Sequence, residues 1–125
     1  MKYTKISSMD SHGQRMRRNL FFPMVKGLTI LGGEPFQNVE GLLPVLQKIK
    51  QESPKTIWIY SGYTFEQLCS DVDKKELLGL CDVLVDGPFV RSLRDVGLRF
   101  RGSSNQRLID VQTSLARGKV ALWQG

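Results

Sequence analysis

A chain of 125 residues, with 41% hydrophobic and 24% charged residues, has the size and composition of one globular domain. It contains no apolar run near the ~20 residues that a membrane helix needs, and its two cysteines provide no disulfide framework. The first residues also lack the apolar stretch of a signal peptide. We therefore expect a cytoplasmic protein that does not associate with membranes.

The net charge of +6 is concentrated at the two ends of the chain. Residues 1–26 carry a net charge of +5, residues 27–86 a net charge of −4 and residues 87–125 a net charge of +5. Such a basic protein could bind nucleic acid or an acidic protein, or the charge could simply be solvated. The basic stretches have few aromatic residues and match no nucleic-acid-binding module, so we do not expect nucleic acid as a partner.

The first part of the chain does not fit a regular α/β pattern. The apolar run NLFF (19–22) is separated from Leu28 only by residues 23–27, whereas a parallel crossover needs about ten residues or more. We expect residues 1–24 to be a basic remnant that is loosely packed or disordered. Residues 25–125 are then expected to form the folded domain.

Three short runs rich in β-branched or aromatic residues are typical of buried strands. They are LTIL (28–31), TIWIY (56–60) and DVLV (82–85). VALW (120–123) is predicted to be a last strand.

Helical patterns lie between these strands. After Asn38, a plausible N-cap, apolar residues recur at helical spacing, and Pro44 should kink this helix or mark its start. Thr64 and Gln67 predict a capping box for a second helix. Its buried face is predicted to contain Phe65, Leu68, Cys69 and Val72. This order of strands and helices predicts a parallel sheet with right-handed crossovers.

Each predicted strand ends in residues suited to a turn or a ligand site. Gly32-Gly33-Glu34-Pro35 follows the first strand, Ser61-Gly62 the second and Asp86 the third. Ligands of open α/β sheets bind beyond the carboxyl ends of strands, so these turns are expected to face one pocket. A tight turn with a solvated glutamate, an ST-turn at Ser61 and an Asx-turn at Asp86 are the structural alternatives.

Four segments in this order resemble the family of proteins that activate anaerobic ribonucleoside-triphosphate reductases. They are LTILGGEPF (28–36), WIYSGY (58–63), VLVDGPF (83–89) and LRFRGSSNQR (98–107), and the resemblance extends over residues 25–123. It implies an α/β fold: a partial radical-SAM-type (β/α) open barrel, with a mostly parallel sheet and helices on the outside. The N-terminal strand–helix unit of that fold is expected to be truncated here.

The resemblance also implies ligands and partners. Members of the family use S-adenosylmethionine (SAM), a 4Fe–4S cluster and a flavodoxin-type reductant to generate a glycyl radical on the class III anaerobic ribonucleotide reductase. Their GGEP turn holds the amino group of SAM, and a glutamate suits a cationic ammonium. The cofactor-binding residues implied here are Gly32, Gly33, Glu34, Pro35, Ser61, Gly62, Asp86, Ser104 and Asn105.

The CxxxCxxC signature that holds the cluster in this family is missing. A cluster that activates SAM needs three cysteine thiolates, whereas Cys69 and Cys81 are predicted to be buried apolar side chains. We therefore predict no metal ligand and no catalytic residue, and an inactive chain.

Other readings remain open. The chain could be a non-catalytic module that docks on the reductase or on an intact activator, through the basic residues Arg91, Arg94, Arg99, Arg101 and Arg107. A product of a damaged gene is also compatible with the sequence. A small nucleotide binder is disfavoured, because GxxxxGK and GxGxxG are both absent.

Overall fold

A computed structural model describes residues 4–9, 15–16, 27–52 and 56–124 of the chain. The strands are β1 (Thr4–Met9), β2 (Arg15–Met16), β3 (Gly27–Gly32), β4 (Thr56–Tyr60), β5 (Val83–Asp86) and β6 (Arg107–Asp110). The α-helices are α1 (Val39–Glu52), α2 (Phe65–Cys69), α3 (Val72–Leu78) and α4 (Val111–Arg117). Short 3-10 turns occupy Pro35–Gln37 and Arg91–Leu93.

The strands form one open sheet in the order β2-β1-β3-β4-β5-β6. β3, β4 and β5 are parallel neighbours, with Leu28 opposite Ile57 and Ile59 opposite Leu84, as predicted. The sheet as a whole is mixed, and the expectation of a mostly parallel sheet is wrong: β1 pairs antiparallel with both β2 and β3, and β6 pairs antiparallel with β5. β6 runs antiparallel because residues 87–106 return to the sheet at the edge where β5 ends, without a crossover.

Part of the N-terminal segment belongs to the sheet. β1 pairs with β3 along its whole length, from Thr4 opposite Gly32 to Met9 opposite Gly27. The expectation of a loose chain therefore fails for these residues, because their backbone completes the hydrogen bonding of the β3 edge. The apolar run at 19–22 lies outside the described residues.

The hydrophobic core lies between the central strands and the first three helices. Leu28, Ile30, Ile57 and Ile59 alternate along β3 and β4, and each of these side chains is buried. The apolar face of α1 packs against the same cluster. Pro44 lies inside α1, which continues past it to Glu52, so this proline neither ends nor begins the helix.

The helical segment after β4 is divided into two helices. The capping box of Thr64 and Gln67 is present at the start of α2. Val72 was predicted to lie on the buried face, but it is 84% exposed. The reason is a break at Ser70 and Asp71: the Asp71 carboxylate accepts a hydrogen bond from the backbone N–H of Lys74 and caps α3, which changes the direction of the chain.

The C-terminal residues pair with β6 less extensively than a full strand would. Leu122 forms an antiparallel bridge with Ile109, and the Trp123 backbone N–H donates to the carbonyl oxygen of Leu108 at 2.9 Å. None of the helices described here is long and apolar enough to cross a bilayer.

Candidate functional site

The predicted turns do meet at one edge of the sheet. Backbone hydrogen bonds join neighbouring strand ends there: the Ser61 N–H donates to the Val85 carbonyl oxygen at 3.0 Å, and the Gly87 N–H donates to the Tyr63 carbonyl oxygen at 3.0 Å. β6, which is antiparallel, begins at this edge with Arg107 opposite Asp86. This edge is the candidate site.

The carboxylate of Glu34 joins the end of β3 to the end of β4. Its Oε2 accepts from the Ser61 hydroxyl at 2.9 Å and from the Phe36 N–H at 3.1 Å, and its Oε1 accepts from the Gly62 N–H at 2.7 Å. The Ser61 hydroxyl also accepts from the Tyr63 N–H at 3.0 Å. Glu34 and Ser61 are thus brought together as predicted, and both are engaged in bonds within the chain.

Glycine residues lie where the Glu34 carboxylate approaches the end of β4. Gly32 has a φ of +100°, a backbone conformation that side chains other than glycine's rarely adopt. A Cβ on Gly62 would lie 3.4 Å from Glu34 Oε1, which is ordinary van der Waals contact, so the glycine itself is required here less strictly than at Gly32. Pro35 is buried and begins the 3-10 turn that Glu34 caps, while Gly33 connects that turn to β3.

Asp86 lies in a second polar group at the same edge. Its carboxylate is 1% exposed and accepts three hydrogen bonds: from Arg107 Nε at 3.0 Å, from Arg107 Nη2 at 2.6 Å and from the Phe65 N–H at 2.8 Å. Arg107 Nη2 also bonds Glu66 Oε1 at 2.8 Å. Hydrogen bonding to Asp86 and then to Glu66 raises the pKa of Arg107, and the bond from Arg107 lowers the pKa of Glu66.

The sequence identified Asp86 but not its partner, and it placed Arg107 on an outward basic face. The side chain instead reaches back to the end of β5. The two residues are 21 positions apart, so no local pattern connects them.

The polar loop 101–107 folds onto the turn after β5. Asn105 Nδ2 donates to the Pro88 carbonyl oxygen at 2.8 Å, and Asn105 Oδ1 accepts from the buried Ser103 hydroxyl at 2.6 Å. Gln106 Nε2 donates to the Gly87 carbonyl oxygen at 3.0 Å. Ser104 is exposed, and its N–H donates to the Leu93 carbonyl oxygen at 2.9 Å. The sequence makes all four polar residues of this motif candidates for binding a polar ligand or a partner backbone, and in the structure each of them forms hydrogen bonds within the chain: Ser103, Ser104, Asn105 and Gln106.

The cysteines do not fit an iron–sulfur cluster. Cys81 is fully buried at the amino end of β5, the edge of the sheet opposite the candidate site, and its Sγ donates to the Leu77 carbonyl oxygen at 3.6 Å. Cys69 is partly buried. Burial raises the pKa of both thiols. A cluster that activates SAM needs three thiolates, one more than these two cysteines can provide. Within the described residues, no three His, Cys, Asp or Glu side chains form a group that could hold a metal ion.

Several curated proteins named anaerobic ribonucleoside-triphosphate reductase-activating protein are similar to this chain. The protein of Haemophilus influenzae is 44% identical over 84 residues, which cover 65% of this chain and 53% of the relative. The Vibrio cholerae protein is 43% identical over the same shares of both chains, and the enterobacteria phage T4 protein is 39% identical over 67% of this chain and 53% of its own. The chain thus spans about half the length of the curated relatives it matches, and no solved structure matches it.

The family model described as 4Fe-4S single cluster domain matches residues 2–109, which include the strand ends of the candidate site and the whole of the polar loop 101–107. Together with the relatives, this match confirms the resemblance inferred from the four sequence segments. The chain belongs to the 4Fe-4S single cluster domain family, and its curated relatives are reductase-activating proteins.

Proposed function

We propose that this chain is a non-catalytic relative of the reductase activators, which binds the anaerobic ribonucleotide reductase, or an intact activator, without generating a radical. The observation that carries the proposal is the thiol content. The chain offers two cysteines, one of them buried in the core, where the cluster of an activator needs three thiolates. A chain that cleaves no SAM has no use for a flavodoxin-type reductant.

The hydrogen bonds within the candidate site also predict a low affinity for SAM. An ammonium group that approached Glu34 would have to share a carboxylate that already accepts from Ser61, Gly62 and Phe36. Asp86 is likewise saturated by Arg107 and the Phe65 N–H. The proposed cofactor-binding residues, from Gly32 to Asn105, would therefore hold SAM poorly without the cluster.

Iron and sulfide reconstitution tests the loss of catalysis. The protein is purified without oxygen, reconstituted, and assayed for cluster absorbance and for release of 5′-deoxyadenosine from SAM, with the Haemophilus influenzae activator as the positive control. We expect neither signal from this chain. Sustained SAM cleavage would overturn the proposal.

Calorimetric titration with SAM provides an independent check on the site. We expect no binding with a Kd at or below about 1 µM, which corresponds to ~8 kcal/mol of binding free energy. Tighter binding would show that the internal bonds of Glu34 and Asp86 do not limit the site.

Co-purification tests the binding role. A tagged chain is mixed at micromolar concentration with the class III reductase, and separately with an intact activator. Recovery of either partner is expected, and failure to recover both would contradict the binding module.

A further inference from the structure

A loop beside the candidate site exposes several large apolar side chains. In loop 89–100, Phe89, Leu93, Val96 and Phe100 are each between 42% and 87% exposed. An antiparallel bridge between Arg94 and Ser103 connects the middle of this loop to the polar loop 101–107. Exposed apolar side chains concentrated in one short segment mark an interaction surface more often than isolated ones do.

The same loop is positively charged. Within the described part of the chain, Arg91 and Arg94 make no side-chain hydrogen bond or ion pair, and the Arg99 guanidinium lies 5.0 Å from the centre of the Phe100 ring. Asp95 is the acidic residue of the loop, and its carboxylate accepts from the Gly97 N–H. Three arginine side chains therefore face solvent beside four apolar ones.

The structure separates these arginines from the other two of the predicted basic face. Arg101 Nη1 donates to the Gln106 carbonyl oxygen at 2.6 Å, and Arg107 is paired with Asp86 and Glu66. Both guanidinium groups are used inside the chain. Of the predicted basic face, the side chains that remain for a partner are those of Arg91, Arg94 and Arg99, all in loop 89–100.

The end of the loop has a fixed shape. Phe100 has a φ of +68°, which is unusual for a residue other than glycine, and its carbonyl oxygen accepts from the Tyr60 hydroxyl at 2.7 Å. Its ring centre lies 5.0 Å from that of Trp58 and 5.8 Å from that of Trp123. Backbone conformations of this kind persist where surrounding contacts hold them, and they cluster at functional sites.

We propose that loop 89–100 is the docking surface for an acidic, apolar segment of a partner protein. Carboxylates of that segment would pair with Arg91, Arg94 and Arg99, and its apolar side chains would cover those of the loop. A protein fits better than a nucleic acid, because a phosphate backbone offers nothing to Leu93 and Val96. The inference rests on the proposed binding function and assigns the surface that carries it.

The test uses a synthetic peptide in which Asp and Glu alternate with Leu and Phe, and a second peptide in which Asn and Gln replace the acids. The charge variant is Arg91→Ser with Arg94→Ser, and its matched control is Arg117→Ser with Lys119→Ser, two exposed cations at the end of α4. The apolar variant is Leu93→Ser with Val96→Ser, and its control is Val72→Ser on α3. Circular dichroism of every variant verifies the fold.

We expect the acidic peptide to bind the wild type in a salt-dependent way, and each loop variant to weaken binding roughly tenfold or more while the controls leave it unchanged. Equal losses in the loop variants and their controls would overturn the inference. So would binding of a single-stranded oligonucleotide as tight as that of the peptide.

Repeating the variants in the co-purification assay separates this inference from the proposed function. If the wild type recovers the reductase or the activator and the loop variants recover it equally well, the docking surface is wrong and the binding function stands. If the wild type recovers neither, the binding function itself fails. A loop-dependent peptide complex would then still support the surface.

Discussion

At the scale of single residues, Asp86 depends on Arg107. The carboxylate is buried at the end of β5, and Arg107 supplies two of its three hydrogen bonds. Replacing Arg107 with Ala leaves a buried charge without its counterion, so we expect a loss of about 3–5 kcal/mol in the free energy of unfolding. Urea denaturation followed by circular dichroism measures the loss.

Glu66→Ala is the matched control for that substitution. Glu66 bonds the same guanidinium from a largely exposed position, and exposed ion pairs contribute less than ~1 kcal/mol. Losses of similar size in the two variants would show that the burial of Asp86 is not what makes Arg107 important.

Glu66 also predicts a small pH dependence. Its pKa in the folded protein lies below the ordinary value of 4.5, chiefly because of the hydrogen bond from Arg107. The stability that this carboxylate contributes is therefore complete above that ordinary value, and it is lost as the pH falls through the lower folded pKa. We expect the stability difference between the wild type and Glu66→Gln to shrink to zero in acid, as measured by urea denaturation at several pH values. A difference that grew in acid would contradict the assigned bond.

At the scale of elements, α2 is a five-residue helix whose start depends on a cap. The Thr64 hydroxyl accepts from the Gln67 N–H at 3.2 Å, and the Gln67 side chain accepts from the Thr64 N–H at 2.9 Å. We expect Thr64→Ala to lower the free energy of unfolding by about 1 kcal/mol. Thr64→Ser keeps the hydroxyl and should restore most of the loss, and a failure to do so would mean that the methyl group matters more than the cap.

The elements that sequence predicted are those encoded by neighbouring residues. β3, β4 and β5 are short apolar runs ended by turn residues, and the capping box of α2 spans only Thr64 to Gln67. Such patterns depend on contacts a few positions apart. Strand direction is a different property, since apolar alternation reads the same in parallel and antiparallel strands. The antiparallel direction of β1 against β3, and of β6 against β5, is therefore not indicated by any local sequence pattern.

For the candidate site too, local sequence predicted some features and not others. Turn chemistry at three strand ends correctly predicted that Glu34, Ser61 and Asp86 would lie at one edge of the sheet. What each side chain bonds depended on distant parts of the chain: Glu34 is 27 positions from Ser61, and Asp86 is 21 positions from Arg107. The prediction that Val72 is buried was wrong for a related reason. The helical spacing of apolar residues continues through Asp71 in the sequence, whereas in the structure Asp71 caps a new helix.

At the scale of the whole molecule, the buried thiol of Cys81 can report on global unfolding, because reagents reach it only when the core opens. The buried thiol is out of reach of solvent and its pKa is raised by desolvation, whereas Cys69 is partly accessible. We expect iodoacetamide to label Cys69 in the native protein and Cys81 only at the rate of global unfolding. Mass spectrometry of the wild type and of Cys69→Ser distinguishes the two sites. Rapid labelling of Cys81 under native conditions would contradict the packing of the core.

The contacts of Phe100 affect the intrinsic tryptophan fluorescence of the protein. The chain contains two tryptophans, Trp58 and Trp123, and both indoles touch this one ring. Intrinsic fluorescence is therefore dominated by the place where loop 89–100 meets the sheet. A partner that covers or lifts the loop should shift the emission without any added label, and Phe100→Leu would show how much of the native spectrum arises from that ring.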